Sequence, residues 1–314
     1  MNSISILVYL NAGGEHGKSS VARLQATCNQ RNIDFKVYTT KYPKHTKILI
    51  QEIALKNKYK ENHRIVVVGG DGTLNEAMYG LHSLKEKIPI SYFPSGTGND
   101  FARSLKLTAD AEKFIDNIFK VDLENLEFIE VSNERGLAYV AMNGMGIGFD
   151  ALISHLTNQD KKKNILNRAK MGKMIYISKI LAAFRNRSVF DAEISVDNKE
   201  VYKHKNILFA SFMKNQYFGG GIKIIPDAHK NSGLIYLALA KYISAKDILR
   251  LLPHVLKTGK HFEKTPKFTK IIGKEFTINV SGENYLQADG ETDKIKDTKF
   301  NIKLATYPFY LVEE

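Results

Sequence analysis

The sequence has a single cysteine, Cys28, among its 314 residues. One cysteine excludes an internal disulfide, and it excludes any metal site built from several cysteines. Such usage is typical of a reducing compartment, and Cys28 itself is predicted to be a small apolar residue on a helix. Secreted, disulfide-stabilised folds are therefore excluded.

Long hydrophobic runs are also missing. The longest internal apolar run is LIYLALA at 234–240, which is far below the roughly 20 residues that a membrane-spanning helix needs. The N-terminal stretch MNSISILVYLNAGG carries no basic leader, and its apolar part is short enough to be a first strand. The sequence thus predicts a cytoplasmic protein, which could associate peripherally with the inner membrane face.

Acidic residues are outnumbered by basic ones. There are 33 Asp and Glu against 46 Lys and Arg, so the formal net charge is +13. Such a balance favours anionic partners, which could be a nucleotide, a nucleic acid or an acidic membrane surface. Nucleic acid ranks below the membrane because no nucleic-acid-binding module is recognisable.

The order of predicted elements indicates two domains, without internal repeats or low-complexity tracts. Strand and helix patterns alternate over residues 1–125, which predicts a parallel sheet with helices on both faces. Closely spaced strand patterns over 126–304 predict an antiparallel sheet or sandwich, interrupted by helices near 164–185 and 244–259. The last residues, 305–314, are predicted to return to the first domain.

The stretch RIVVVGGDGTLNEAM, residues 64–78, has the pattern of a phosphate-binding loop. Three consecutive valines predict a strand buried on both faces, and three glycines let another molecule approach the backbone. A helix is predicted to begin at Thr73, so free N–H groups and the helix dipole would point at the turn. Glycine turns end many strands, but an aspartate between glycines is less common.

A second strand-to-helix turn, FPSGTGNDFARSL at 93–105, follows about 20 residues later. In a parallel sheet it would lie at the same edge as the first turn. Asn99 on its own is predicted to be an ordinary N-cap of the helix. Asp71 and Asp100 together predict a Mg²⁺ site, because this ion prefers hard oxygen ligands and bridges phosphates.

Two further segments carry weaker signals. YLNAGGEHGKSS at 9–20 does not have the spacing of a standard P-loop, so Lys18 is equally consistent with a phosphate contact and with a solvated helix start. LQADGETDK places Glu291 just after a strand and a glycine. Taken alone, an acid in such a turn is usually a solvated surface residue.

Together, VVVGGDGTLNEAMYGL and FPSGTGNDFARSL closely resemble the diacylglycerol kinase catalytic-domain family of lipid kinases in its soluble bacterial form. NAGG, NGMGIGFDA and ADGE fall in the order that the family has, so the resemblance covers nearly the whole chain. GGDGT alone is shared with NAD kinases and phosphofructokinases. The added PSGTGNDF and the late DGE are typical of lipid kinases.

The resemblance implies a Rossmann-like nucleotide domain at 1–125, a β-sandwich lipid-substrate domain at 126–304, and an ATP site in the cleft between them. It implies that Asp71 and Asp100 belong to a Mg²⁺ network and that Glu291 is the general base acting on the lipid hydroxyl. The positions that match the family's ATP contacts are Asn11, Ala12, Gly13, Gly14, Thr40, Gly70, Asp71, Gly72, Thr73, Leu74, Asn75, Glu76 and Thr97.

The chain departs from the family at AHKNSGLIYLAL, residues 228–239. Ser232 stands where the resemblance leads us to expect an aspartate that binds a structural Mg²⁺, and Asp227 is five positions away. Two alternatives follow for this secondary metal site: it is absent, or it uses other ligands.

Two windows concentrate basic residues. Residues 160–187 hold nine Lys or Arg and one acid, and residues 241–274 hold nine Lys or Arg and two acids. A core-packed helix with a solvated basic face would produce this pattern. Attraction to an anionic bilayer, at roughly 1 kcal/mol per basic residue near the surface, would produce it as well.

The leading hypothesis is an ATP- and Mg²⁺-dependent kinase that phosphorylates the hydroxyl of diacylglycerol or a related lipid at the membrane. One alternative is a soluble-substrate kinase of the NAD kinase type, which the PSGTGND and DGE segments disfavour. The other is a catalytically inactive lipid- or nucleotide-binding regulator, which the departure at Ser232 permits and the retention of Glu291, Asp71 and Thr73 disfavours. The oligomeric state is open, with a homodimer among the alternatives.

Overall fold

The structure is a computed structural model that describes residues 1–9, 16–58, 60–163, 183–184, 187–199, 201–255 and 259–314. The chain divides into two compact units. Unit 1 comprises Met1–Glu127 with Thr306–Glu314, and unit 2 comprises Phe128–Ala305.

Unit 1 is built on a four-stranded parallel sheet with the order β2-β1-β3-β4. The register pairs Val8 with both Thr39 and Val68, and it pairs Gly69 with Pro94, so the strands end at one edge. The predicted Rossmann-like parallel sheet is confirmed. Its elements are β1 (Ser3–Val8), α1 (His16–Gln30), β2 (Asp34–Thr39), α2 (His45–Asn57), β3 (His63–Gly69), α3 (Asp71–His82), β4 (Ser91–Pro94), α4 (Asp100–Leu105) and α5 (Ala111–Asn117).

The core of unit 1 follows from the apolar pattern of these elements. Val66, Val67 and Val68 are all completely buried, as expected for a central strand covered on both faces. Leu24 and Cys28 of α1 are four residues apart and lie on its buried face. Burial raises the pKa of the Cys28 thiol to about 11, so this cysteine stays protonated and unreactive.

The C-terminal residues extend unit 1. The backbone N–H of Tyr310 donates to Ile90 O at 2.9 Å, and Thr108 N–H donates to Val312 O at 3.0 Å. The buried Tyr307 hydroxyl donates to Ile88 O at 2.9 Å. The end of the chain is therefore part of the packed structure of this unit.

Nine of the strands that follow β4 form one sheet, in the order β13-β12-β9-β7-β14-β15-β5-β6 with β8 paired to β14 and β9, and β10 and β11 form a separate antiparallel pair. Neighbouring residues of β12 enter different core clusters, Leu237 on one face and Tyr236 and Ala238 on the other, so apolar layers cover both faces. The predicted antiparallel β-sandwich is confirmed. The strands are β5 (Leu123–Asn133), β6 (Gly136–Ala141), β7 (Gly144–Gly148), β8 (Phe190–Val196), β9 (Val201–Met213), β10 (Tyr217–Phe218), β11 (Ile222–Lys223), β12 (Ile235–Lys241), β13 (Phe268–Gly273), β14 (Glu275–Ala288) and β15 (Glu291–Tyr310).

Helices in unit 2 differ in part from the sequence prediction. The helix α6 (Phe149–Lys163) was not predicted from the sequence, because the glycine-rich segment that precedes it indicates only a strand. Of the helix predicted near 164–185, all but residues 183–184 fall outside the described residues. The helix predicted near 244–259 is present as α7 (Ala245–Pro253), which begins with a capping box between Ser244 and Asp247, and a 3₁₀ turn follows at Lys260–Glu263.

Across the described ranges, no helix is both long and apolar enough to cross a membrane.

Candidate functional site

Asp71 joins the two turns that the sequence analysis singled out. Its Oδ2 accepts a hydrogen bond from the backbone N–H of Asp100 at 3.0 Å, and its Oδ1 accepts one from Phe101 N–H at 2.9 Å. These two residues begin α4, and the first N–H groups of a helix have no acceptor within the helix. The carboxylate at the start of α3 therefore caps α4 from the neighbouring turn.

Asn99 does not act as the ordinary N-cap that the sequence predicted. It occupies the position before α4, but its φ is 50° and its side chain makes no hydrogen bond to the helix. Instead Oδ1 accepts from Gly96 N–H and Nδ2 donates to Gly96 O, both at 2.9 Å. The prediction is wrong because Asp71 already satisfies the helix N–H groups, which leaves Asn99 to close its own loop.

The two turns pack against each other at Gly70 and Gly96. A Cβ added to Gly96 would lie 2.4 Å from Gly70 Cα, a distance that no side chain tolerates. The backbone N–H of Ser95 donates to Gly69 O at 2.8 Å, and the buried Tyr92 hydroxyl donates to the same oxygen at 2.9 Å. The two turns thus form one rigid surface at the edge of the sheet.

The predicted contact residues of α3 divide into buried and accessible ones. Thr73, Leu74 and Asn75 are buried. The Leu74 side chain lies in the core, and its backbone N–H donates to Gly70 O at 3.1 Å. Leu74 therefore supports the turn and does not offer its side chain to a ligand. Glu76 accepts a hydrogen bond from Lys44 N–H at 3.3 Å.

The other predicted contact residues lie in four segments. Thr40 follows β2, where its N–H donates to Val8 O at 3.0 Å, and Gly72 lies in the first turn of α3. Thr97 is exposed between β4 and α4. The segment Asn11, Ala12, Gly13 and Gly14 lies outside the described residues.

Two buried hydroxyl groups near this edge, Thr40 Oγ1 and Ser95 Oγ, have no hydrogen-bond partner among the residues that the structure describes. They follow β2 and β4, so both lie where the parallel strands end. Buried hydroxyls are normally satisfied, and an anionic oxygen of a ligand is one acceptor that would satisfy them. This observation fits a phosphate-bearing ligand. Ser95 is a candidate that was missing from the predicted site, and its position within PSGTGND was the available signal.

The acidic residues at this edge would suit a cation shared with a bound phosphate group better than a metal site enclosed by protein ligands alone. The largely buried Asp100 carboxylate pairs with Arg103 Nη1 at 3.1 Å. Burial, and then the negative charges of Asp71 and Asp100, raise the pKa of Tyr92 well above its ordinary value. No cluster of three or more His, Cys, Asp or Glu able to hold a metal occurs in the described part of the chain. Two carboxylates suit Mg²⁺ that keeps water and phosphate ligands.

Glu291 lies at the end of a tight hairpin in unit 2. It pairs with Ala288 across β14 and β15, so Asp289 and Gly290 form a two-residue loop. Both loop residues have positive φ values, 46° and 90°, which is the type I′ geometry that favours an Asp-Gly sequence. Glu291 is an exposed residue at the start of β15.

Asp289 fixes this hairpin, although no sequence pattern predicted it to be a functional residue. Its carboxylate accepts hydrogen bonds from three successive backbone N–H groups, those of Met142, Asn143 (2.9 Å) and Gly144 (3.1 Å). Its own N–H donates to Gly144 O at 3.1 Å. The residue two positions before the predicted general base therefore holds the turn on the connection between β6 and β7.

Comparison with known families agrees with this architecture. The diacylglycerol kinase catalytic domain family matches residues 4–131. The family described as the YegS C-terminal NAD kinase beta sandwich-like domain matches residues 144–303, which is half of the chain.

Individual proteins are similar over most of the length. "Putative lipid kinase YtlR" of Bacillus subtilis is 24% identical over 288 residues, which cover 89% of this chain and 90% of that protein. "Putative lipid kinase SaurJH9_0749" of Staphylococcus aureus is 26% identical over 246 residues, covering 77% and 74%. A solved structure titled "A putative diacylglycerol kinase from Bacillus anthracis str. Sterne" has a TM-score of 0.73 at 22% identity, covers 99% of this chain and 97% of that one, and supports the fold.

The two family matches cover the two parts of the chain in the order of the quoted motifs, and each agrees with the fold of its part. The chain belongs to the diacylglycerol kinase catalytic-domain family of lipid kinases.

Proposed function

We propose that this protein transfers the γ-phosphoryl group of ATP to the hydroxyl of diacylglycerol or a related lipid at a membrane surface. The observation that carries the proposal is the pair of turns fastened together by Asp71, which presents glycine backbone and helix N–H groups at the edge of a parallel sheet. Membership of a lipid kinase family supports the choice of substrate class.

On this proposal, unit 1 binds the nucleotide. Backbone N–H groups of Gly70–Thr73 would hold phosphate oxygens, and the Thr40 and Ser95 hydroxyls would find acceptors there. Thr97 and the segment 11–14 would add contacts. Mg²⁺ bound with the nucleotide through Asp71 and Asp100 would offset the charge that develops during transfer. The rigid packing of the turns keeps these donors in place before the nucleotide binds.

Glu291 is proposed as the general base. Its exposed carboxylate would take the proton of the lipid hydroxyl while that oxygen forms a bond to the γ-phosphorus. The bond between the γ-phosphorus and the bridging oxygen breaks, and ADP leaves with the electron pair. The hydrogen bonds of Asp289 hold the hairpin, which limits the positions that the Glu291 carboxylate can take.

Basic residues are proposed to bring the protein to an anionic membrane. In the window 241–274, Lys267 and Lys270 form ion pairs with Asp247 and Asp227, so their charge is partly offset. Among the described residues of this window, the exposed basic side chains are Lys246, Arg250, Lys260, Lys264 and Lys274. Most of the window 161–187, and the side chains of Lys161, Lys162 and Lys163, lie outside the described residues.

The proposed activity is tested by incubating the protein with labelled ATP, Mg²⁺, NAD and vesicles of extracted membrane lipids, followed by identification of the labelled product. A phosphorylated lipid that carries the label supports the proposal. A labelled soluble dinucleotide would contradict it in favour of the NAD kinase type, and an unlabelled extract would favour a regulator without activity.

A further inference from the structure

Lys214 is a lysine buried inside unit 2, with only 1% of its surface exposed. It directly follows β9, and its ammonium donates to His229 O at 3.0 Å and to Ser232 Oγ at 3.0 Å. Leu234 O is a third acceptor at 3.5 Å. These three oxygens belong to one short loop, 229–234, that leads into β12.

We infer that the Lys214 ammonium takes the place of a structural metal ion, so that loop 229–234 is held by a cation built into the chain. An ammonium group has three N–H donors and no acceptor, which matches three surrounding oxygens. The family resemblance leads us to expect Mg²⁺ bound through an aspartate at position 232. The serine at this position provides a neutral hydroxyl group. A hydroxyl oxygen accepts a hydrogen bond from a lysine ammonium, but it lacks the negative charge with which a carboxylate binds a divalent ion.

The neighbouring acid does not restore a metal site. The Asp227 carboxylate forms an ion pair with Lys270, and this partner lowers its pKa although burial opposes the shift. A divalent ion at loop 229–234 would lie beside the fixed positive charge of Lys214, which would repel it. The residues present therefore do not fit the expected metal.

The anchored loop is connected to the hairpin of Glu291 through the backbone of Lys214. Lys214 N–H donates to Asn143 O at 2.8 Å, and Asn143 N–H donates to the Asp289 carboxylate at 2.9 Å. Asn215 Nδ2 adds a hydrogen bond to Met142 O at 2.8 Å. With a covalently attached cation, this connection does not depend on the supply of divalent metal.

The first test measures bound metal in the nucleotide-free wild-type protein after equilibration with Mg²⁺ or Ca²⁺ and removal of free ions. We expect no stoichiometric cation that depends on Ser232. About one bound ion per chain that Ser232→Ala removes and Asp71→Asn retains would overturn the inference. An ion that Asp71→Asn removes and Ser232→Ala retains would place the metal in unit 1 and agree with it.

The second test replaces the ammonium. Lys214→Met keeps an unbranched side chain, one atom shorter, but leaves three acceptor oxygens without their donor, so the unfolding temperature should fall by at least about 4 °C. Lys199→Met, which changes an exposed lysine of the same unit, is the control and should have little effect. An unchanged unfolding temperature in Lys214→Met would contradict the inference.

The third test rebuilds the expected metal site. In the double variant Lys214→Ala and Ser232→Asp, the fixed charge is removed and a carboxylate is added, so 5 mM Mg²⁺ or Ca²⁺ should raise the unfolding temperature relative to EDTA. The wild type should show no such rise attributable to Ser232. A rise in the wild type that Ser232→Ala abolishes would overturn the inference, even if Lys214→Met does not fold.

Discussion

Asp71 accepts the backbone N–H of Asp100 at 3.0 Å, so two acids predicted to share a metal ion are first of all joined by a hydrogen bond between side chain and backbone. A second hydrogen bond, from Phe101 N–H, makes Asp71 the cap of α4. Asp71 thus sets the relative position of the two turns, in addition to any contact with nucleotide or metal that the proposed function assigns to it.

Substitution of Asp71 should separate these two effects. Asp71→Asn retains an acceptor oxygen for α4 but removes the charge, whereas Asp71→Ala removes both. We expect both variants to lose phosphoryl transfer, and Asp71→Ala to lose in addition about 1–2 kcal/mol of stability, as is typical when a helix cap is removed. Activity assays and thermal unfolding measure the two effects.

The matched control for Asp71 is Asp116→Asn, which removes the charge of an exposed acid in the same unit that pairs with Arg31. It should retain activity, because surface ion pairs contribute little. Wild-type activity in a folded Asp71→Ala protein would contradict the phosphate-and-metal interpretation of the GGDGT turn.

Glu291→Gln should bind nucleotide normally and lose lipid phosphorylation. The change is nearly isosteric but removes the proposed base, and general-base help contributes roughly 10²–10⁴-fold in rate. Single-turnover kinetics with a fluorescent nucleotide measure both binding and transfer. Glu283→Gln, on the exposed surface of β14, is the control and should behave as the wild type. A Glu291→Gln enzyme with near-normal turnover would remove this residue from the mechanism.

Binding to vesicles should rise with their content of anionic lipid and fall with salt. The Debye length shrinks from about 10 Å at 0.1 M to about 3 Å at 1 M, so surface attraction is screened. Sedimentation should show weaker binding when four basic residues of either window are changed to alanine. The set from the window 241–274 is Lys246, Arg250, Lys260 and Lys264. The set from the window 160–187 is Lys161, Lys162, Lys163 and Lys173.

A control with the same charge change alters four exposed lysines of unit 1, namely Lys36, Lys85, Lys113 and Lys120. It should bind vesicles nearly as the wild type does, and all three variants should turn over a short-chain, water-soluble diacylglycerol at the wild-type rate. If the wild type does not sediment with anionic vesicles even at low salt, the basic windows are solvated surfaces and the membrane proposal fails.

Asp150 should make the stability of the protein depend on pH. Burial raises the pKa of this carboxyl to about 6 from 3.8, although a hydrogen bond from Ser211 (2.7 Å) opposes the shift. The folded state binds this proton more tightly than the unfolded state. The contribution of protonated Asp150 to the free energy of unfolding is therefore complete below about pH 4 and is lost as the pH rises through about 6. This shift of the pKa corresponds to a change of about 3 kcal/mol in the free energy of unfolding.

Denaturant unfolding of wild type and Asp150→Asn between pH 4 and 7.5 tests this expectation, because asparagine cannot ionise. The stability of the wild type relative to the variant should fall as the pH rises over this range. Parallel pH curves for the two proteins would show that Asp150 has an ordinary pKa in the folded state.

The hairpin of Glu291 illustrates how far sequence reasoning reaches. The Asp-Gly pair predicts a tight turn, and the resemblance assigns Glu291 within it, but neither indicates what holds the turn. Asp289 makes its three hydrogen bonds with residues about 145 positions earlier in the chain, at 142–144. Such a contact exists only after β7 and β14 have paired, so no local pattern could have predicted it.

The sequence by itself determined the parallel sheet, the sandwich, the two glycine turns and the family, because apolar periodicity and turn residues act over a few positions and motifs retain their order. Only the tertiary structure decided that Asp71 caps α4, that Asn99 closes its own loop, and that Lys214 donates to Ser232 and to the loop around it. These contacts depend on which strand ends and loops become neighbours. A polar side chain takes the acceptors and donors that folding brings to it, and its nearest residues in the sequence do not identify them.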